Sequence, residues 1–193
     1  MRRRKMIVTF DLEIEKPVEE VGGWEGARQG KAGMACCVTS TIGGPEGSST
    51  LPPRSRQIHL WDRHNIKGLV DLLEAADTVV SFNGIGFDLP IISALYGREV
   101  KPKKHFDILA EIWVALRGKK KGWGLDPVCQ RTLGRGKSGS GEHAPILWLQ
   151  GKYAEVFDYC LRDVELTEDL YFHIMEVGSI KGPDGEELKI DGS

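Results

Sequence analysis

The stretch Asp77–Gly97, DTVVSFNGIGFDLPIISALYG, decides the fold because it joins a short apolar strand to a helix through a glycine-rich turn. Its first part, DTVVSF, is β-branched and apolar, which predicts a buried strand. Its last part, DLPIISALYG, predicts a helix that ends at Gly97. A strand followed directly by a helix indicates an α/β fold, in which helices cover the faces of a sheet.

The segments before this stretch predict an antiparallel meander of three strands. These segments are KMIVTFDLEIE (5–15), MACCVTSTI (34–42) and RQIHLWD (56–62). The glycine-rich and acidic segment 16–33 between the first two is expected to be a long loop or a loose hairpin.

Helical periodicity predicts further helices at 66–76, 125–134 and 152–177, the last being the longest. The segment KKHFDILAEIWVAL (103–116) is expected to run from a short strand into a helix. The tail 178–193 carries a Pro-Asp-Gly turn, which indicates a small hairpin. Because strands come first and then alternate with helices, the prediction is a mixed α/β sheet with helices on its faces.

Length and composition favour one globular domain, residues 1–193, with 40% hydrophobic residues. The net charge of −2 argues against a protein that coats nucleic acid non-specifically, since such binding depends on neutralising phosphates. Phosphate would have to be held locally, and the basic runs MRRRK, REVKPKKH and RGKKKG are either such patches or solvated faces.

The four cysteines form no CxxC pair and no Cys/His spacing of a zinc site, so reduced thiols inside a cell are expected. The sequence also shows no signal-peptide pattern and no apolar stretch of membrane-spanning length. These features predict a cytoplasmic protein without a membrane partner.

Two acidic residues stand out on the first predicted strand. Residues two apart in a strand point to the same side, so Asp11 and Glu13 share one face while Phe10 and Leu12 share the other. Burying two carboxylates together is costly unless a positive group compensates, and a divalent cation with oxygen ligands does so. The alternative is that this face is exposed to solvent at the end of the strand.

Two further segments place carboxylates at element boundaries. Asp88 follows the glycine-rich turn, either as a site residue or as the N-cap of the next helix. The turn lacks the third glycine of a dinucleotide-binding fingerprint. In YCLRDVEL, Tyr159 and Asp163 stand four residues apart and therefore on one helix face, either for chemistry or as a structural contact.

Taken together, the three segments resemble the motifs of the DEDD superfamily of 3′–5′ exonucleases. VTFDLE resembles the first motif, SFNGIGFDLPII the second and YCLRDVEL the third. The likeness spans about 6–171 and is greatest to the proofreading domains of family B DNA polymerases, which also carry an FDIL segment like Phe106–Leu109. The sister branch has a histidine five residues before the last aspartate, where this chain has Asp158, so Tyr159 places it in the tyrosine branch.

The resemblance implies a fold, a metal site and an activity. The fold is ribonuclease H-like, a mixed five-stranded sheet with helices on both faces. The site would hold two divalent ions, Mg²⁺ or Mn²⁺, about 3.5–4 Å apart, with Asp11 expected to bridge them. The implied metal ligands are Asp11, Glu13, Asp88 and Asp163, and Tyr159 would orient the attacking water, because a phenol with a pKa near ~10 is a poor base at neutral pH. The implied contacts to the substrate are Asn83, Phe87 and Trp24, with ordinary core or surface roles as the alternative for the two aromatic residues.

The function that follows is metal-dependent hydrolysis of phosphodiester bonds at the 3′ end of single-stranded DNA or RNA. Proofreading would require a polymerase or helicase partner in trans. The alternatives are a nucleic-acid binding module without activity and a structure-specific endonuclease of the same fold.

Three other features resemble sites and are given structural interpretations. The segment GRGKSG (134–139) lacks both the first glycine and the preceding strand of a Walker A loop, which leaves a basic loop. Asp107 stands where a strand passes into a helix and is expected to be an N-cap or to support the site from behind. The histidines show no zinc-binding spacing.

Overall fold

The structure is a computed structural model that describes residues 4–44, 56–136 and 144–192. Its main sheet has five strands in the order β3-β2-β1-β4-β5. The first three strands pair antiparallel, whereas β4 runs parallel to both β1 and β5. The predicted meander and mixed sheet are therefore confirmed. The strands are β1 (Arg4–Glu13), β2 (Cys36–Gly44), β3 (Gln57–Trp61), β4 (Thr78–Ser81) and β5 (His105–Asp107).

Helices connect the strands and cover the sheet. They are α1 (Gly23–Arg28), α2 (Ile66–Ala75), α3 (Asp88–Tyr96), α4 (Ile108–Ala115), α5 (Leu125–Leu133), α6 (Ala144–Leu149) and α7 (Tyr153–Val177). A short antiparallel pair, β6 (Ser179–Lys181) and β7 (Glu187–Lys189), follows α7. Within the three described ranges, no helix has both the length and the apolar character that a membrane crossing requires.

The sheet separates the core into two sides. Successive side chains of β1 point to opposite faces and therefore pack on different sides. Phe10 and Leu12 pack with residues of α1, α2 and α3 on one side. Ile7 packs on the other side with residues of α4, α5 and α7, and α6 and α7 also cover β2 there. The helices lie on both faces, which confirms the predicted ribonuclease H-like layering. Asp11 and Glu13 lie on the side of α7.

The prediction of a loop or loose hairpin at 16–33 was wrong. This segment forms a 3₁₀ helix, Val18–Val21, and then α1. Glycines at 22, 23, 26 and 30 concealed the helix, because glycine disfavours helix interiors. Tertiary contacts override that preference: Ala27 is fully buried, and Arg28 donates a hydrogen bond to the carbonyl of Gly86. Trp24 therefore lies on a helix rather than in a loop.

Candidate metal centre

The candidate centre lies where β1 ends beneath α7. Phe10 and Leu12 are 1% and 4% exposed in the opposite core, so the alternation of β1 sends Asp11 and Glu13 toward α7. The helix is held close at this point, because the Cys160 thiol donates a hydrogen bond of 3.3 Å to the carbonyl of Asp11. Asp163 lies one turn further along α7.

Three of the four predicted acids come together here. Carboxylate oxygens of Asp11, Glu13 and Asp163 all lie within 4.8 Å of one another. Glu13 and Asp163 are buried and Asp11 is half-buried. Like charges at this spacing repel in a partly buried site, and a divalent cation that accepts several oxygen ligands relieves the repulsion. The alternative of a solvent-exposed strand end is wrong for Glu13.

Asp88, the fourth acid, lies against the backbone between the first two. Its Oδ1 accepts a hydrogen bond of 3.0 Å from the amide of Leu12, the residue between Asp11 and Glu13. The pKa of Asp88 is raised to about 7, mainly by burial and also by the negative charges of Asp107 and Asp163. Asp88 therefore keeps its proton over part of the neutral pH range, and a cation bound there would displace it. The alternative N-cap role is wrong, because Phe87 occupies that position and Asp88 begins the helix.

The loop between β4 and α3 is tightly folded. Asn83 has a positive φ of 70°. A Cβ on Gly84 would lie 2.5 Å from Ser81 Oγ, and one on Gly86 would lie 2.6 Å from Asn83 Oδ1. Gly84 has no room for a side chain, because it packs against the buried Ser81 and the ring of Phe10, whereas at Gly86 a rotation of the exposed Asn83 side chain would relieve the contact. The glycine-rich turn thus serves to set the start of α3.

Tyr159 lies one turn before Asp163 on α7 and is half-buried. Residues four apart on a helix lie on the same face, so the phenol and the Asp163 carboxylate are neighbours there. The adjacent Cys160 contacts Asp11, as described above. The helix thus places Tyr159 on the face that carries Asp163.

The predicted substrate contacts lie beside the centre, around the same loop. Trp24 is 58% exposed, and its ring meets that of Phe87 edge to face with the centroids 5.4 Å apart. Asn83 is exposed at the turn. The Arg28 Nε donates to the Gly86 carbonyl at 2.7 Å and fixes α1 to the loop. Arg28 was not foreseen, since one arginine in a segment interpreted as a loop carries no distinguishing signal.

The buried cysteines near the centre carry thiols rather than thiolates. Burial raises the pKa of both Cys37 and Cys160 well above the usual range, and nearby acids add to the effect. Thiols in this state are poor metal ligands, because the thiolate is the binding form. The ligand atoms that converge here are carboxylate oxygens, the type that hard divalent cations prefer.

The other features singled out in the sequence have structural roles where they are described. Asp107 caps α4 by accepting hydrogen bonds from the amides of Leu109 and Ala110, as predicted. The run REVKPKKH holds an ion pair between Arg98 and Glu74 and a hydrogen bond from Lys103 to the Ala75 carbonyl. Half of GRGKSG and part of MRRRK lie outside the described residues.

Comparison with known proteins agrees with this fold. A family model of the RNase H superfamily matches residues 55–175, and the chain belongs to that superfamily. Among solved structures, the chain is similar to the family B DNA polymerase from the hyperthermophilic archaeon Pyrobaculum calidifontis, with a TM-score of 0.61 and 16% sequence identity. The similarity covers 91% of this chain but 25% of the polymerase. No curated protein sequence matches the chain.

Proposed function

We propose that the protein is a metal-dependent 3′–5′ exonuclease that acts on single-stranded DNA, with RNA as the alternative substrate. The observation that carries the proposal is the convergence of Asp11, Glu13 and Asp163 within 4.8 Å at the end of β1, beneath the tyrosine-bearing helix. Membership of the RNase H superfamily supports a nuclease class, and the order of the three motifs supports the exonuclease activity.

The carboxylates of Asp11, Glu13, Asp88 and Asp163 would hold two divalent ions. When bound, such ions stabilise the charge that develops on the attacking and leaving oxygens at phosphorus. The fold holds three of these carboxylates together, and Asp88 is bonded to the amide of Leu12, the residue between Asp11 and Glu13. Partial occupancy before substrate arrives is expected, because Mg²⁺ prefers to share its ligands with phosphate.

Tyr159 has the role of orienting the attacking water. Its hydroxyl both accepts and donates a hydrogen bond, and it lies on the same helix face as Asp163. A water held between the phenol and the carboxylates is restricted to the side from which it attacks the phosphorus atom. Tyr159→Phe keeps the ring but removes this contact, so it is expected to lower kcat more than it raises KM.

The aromatic pair formed by the exposed Trp24 and the half-buried Phe87 would provide a surface for a terminal base. Bases stack on aromatic rings without regard to sequence, as an exonuclease requires. Trp24 and Phe87 lie on α1 and at the start of α3, directly beside Asp88. Asn83 at the turn adds amide groups that are able to bind sugar or phosphate oxygens.

The test is incubation of a 5′-labelled single strand with the protein and Mg²⁺, Mn²⁺ or chelator. A ladder of shortened products that requires metal, Asp11 and Asp163 supports the proposal, with Asp11→Ala and Asp163→Ala as the inactive variants. Asp158→Ala is the matched control, because Asp158 is an exposed acid on the same helix and next to Tyr159. Internal cuts indicate an endonuclease, and tight binding with intact strands indicates a binding module.

The same proposal includes the cellular setting. Proofreading by this chain would require a polymerase or helicase partner in trans. The four cysteines are free and buried, which suits the reducing cytoplasm. Copurification from cytoplasmic extract, with recovered proteins tested for polymerase and helicase activity, addresses both points.

A further inference from the structure

Asp107, at the end of β5, makes more hydrogen bonds than a helix cap requires. Its side chain is 1% exposed. Besides the amides of α4 at 3.1 Å each, Oδ1 accepts the amide of Asn83 at 3.0 Å. Its Oδ2 accepts the amide of Ile85 at 2.8 Å and the hydroxyl of Ser81 at 3.4 Å.

These donors use the hydrogen-bonding capacity of the Asp107 carboxylate. Asp107 therefore has no free oxygen lone pair for a metal ion, unlike the acids proposed as ligands. An ionised carboxylate offers roughly four lone-pair sites, and five donors already point at this one. Two of the donors belong to the loop that carries Asn83 and leads to Asp88. Asp107 is thus directed at the loop's backbone rather than at a ligand.

Hydrogen bonds also connect this loop to the first turn of α3. Gly84 donates its amide to Ser81 Oγ at 3.2 Å, and its carbonyl accepts the amide of Leu89 at 2.9 Å. Asp88 lies between these points and binds the Leu12 amide. A shift of the loop at Ile85 would therefore move Asp88 relative to Asp11 and Glu13.

We propose that Asp107 is a positioning residue of the nuclease centre, which holds the loop 83–87 so that Asp88 meets the β1 carboxylates and Asn83 faces the substrate. The inference rests on the proposed function. It predicts that Asp107 affects metal binding and turnover without touching the metal, as residues behind metal ligands commonly do.

Asp107→Asn tests the inference with little change in size. Either orientation of the new amide places an N–H group against a backbone N–H, so one part of the hydrogen-bond set becomes repulsive. We expect the Mn²⁺ concentration for half-maximal activity to rise about tenfold and kcat to fall about 10–100-fold. Direct Mn²⁺ binding by calorimetry is expected to weaken by a similar factor, which gives a readout independent of activity.

Asp77→Asn is the matched control. Asp77 precedes β4 at the opposite end of the sheet, and its Oδ2 likewise accepts a backbone amide, that of Met6, at 2.8 Å. This variant is expected to lose stability while keeping the wild-type Mn²⁺ requirement. If Asp107 were only a cap of α4, Asp107→Asn would behave in the same way, and the inference would be overturned.

Ser81→Ala keeps the inference testable if Asp107→Asn does not fold. It removes the acceptor of the Gly84 amide but leaves the cap of α4 intact, so the Mn²⁺ requirement is expected to rise about threefold. An unchanged requirement in a folded Ser81→Ala protein contradicts the inference. Failure of the proposed function is distinguishable, because the wild-type protein would then neither bind Mn²⁺ nor cut DNA.

Discussion

Helix α7 buries two carboxylates against the sheet, and they have opposite surroundings. Asp163, 6% exposed, lies with the carboxylates of Asp11 and Glu13. Glu168, 1% exposed, accepts a hydrogen bond from the Ser40 hydroxyl and forms an ion pair with Arg56. A buried carboxylate next to an arginine supports the fold, whereas one among other carboxylates raises the free energy of the metal-free protein.

The difference shows how burial alone misleads about function. The two acids are five residues apart on one helix and similarly hidden from water. What distinguishes them is the sign of the charges that other elements bring to each. The charge of Glu168 is already balanced by Arg56 in the folded protein. The carboxylates around Asp163 repel one another, and an added cation would relieve that repulsion.

The largest contrast is expected in activity. Asp163→Asn removes one charged ligand, and a loss of about 4 kcal/mol in transition-state stabilisation corresponds to a roughly thousandfold lower kcat/KM. Glu168→Gln lies away from the carboxylate group and is expected to keep activity within about threefold per folded molecule. Single-turnover cleavage of a labelled strand measures both. Equal losses in the two variants would remove the distinction between the two acids.

A pH dependence of stability is expected from Asp88. Its pKa is about 7 in the folded protein, against about 3.9 for an unfolded aspartate. Between these values the native state holds the extra proton, so the free energy of unfolding of metal-free protein falls as the pH rises and levels off above pH 7. Asp88→Asn removes this contribution, which amounts to about 3 kcal/mol between pH 5 and pH 8.

Urea unfolding in the presence of a chelator measures the effect as a difference between wild type and Asp88→Asn. Taking the difference cancels the titration of groups that the substitution leaves alone. A difference that stays constant from pH 5 to pH 8 would show that Asp88 is not the group that titrates.

Divalent metal is expected to raise the thermal stability of the protein through Asp163 and not through Glu168. At a Mn²⁺ concentration of 100 times Kd, binding adds about 2.7 kcal/mol, which raises the Tm of a protein of this size by roughly 5–10 °C. Asp163→Asn is expected to abolish the shift, and Glu168→Gln to retain it. Thermal unfolding with Mn²⁺ or with chelator checks this, and a shift that survives in Asp163→Asn contradicts the assignment of the site.

The sequence predicted the strands and helices in which apolar residues recur with a clear period. The alternation in β1, the β4 to α3 unit and the long α7 were foreseen because apolar residues recur at two or at three to four positions. The helix α1 was missed because its glycines weaken the local signal. The helix α6 gave too short a pattern to interpret. Both depend on tertiary packing that local preferences do not report.

The candidate site was predictable in residue type but not in its supporting contacts. Spacing predicted that Asp11 and Glu13 share a strand face and that Asp163 shares a helix face with Tyr159. Their assignment to one site came from the resemblance to the exonuclease motifs. The hydrogen bond from the Leu12 amide to Asp88 joins residues 76 apart in sequence, and the Glu168 contact with Ser40 joins residues 128 apart. Contacts over such separations follow from the folded topology and leave no local pattern.

The smallest effect is expected at the ion pair of Glu168. Arg56→Ala leaves the buried Glu168 carboxylate with the Ser40 hydroxyl but without its arginine, and it also removes the contact of Arg56 with Asp169. Because Arg56 is 37% exposed, water replaces part of the lost interaction, so the loss in stability is about 2 kcal/mol, below the range for fully buried pairs. Urea unfolding measures it, with Lys67→Ala as control. The pair of Lys67 with Asp71 is exposed on both sides, so water and salt screen it and its loss is expected to change the free energy of unfolding much less. The Mn²⁺ requirement of Arg56→Ala should equal that of wild type, because the ion pair supports the fold and the metal centre lies elsewhere on α7.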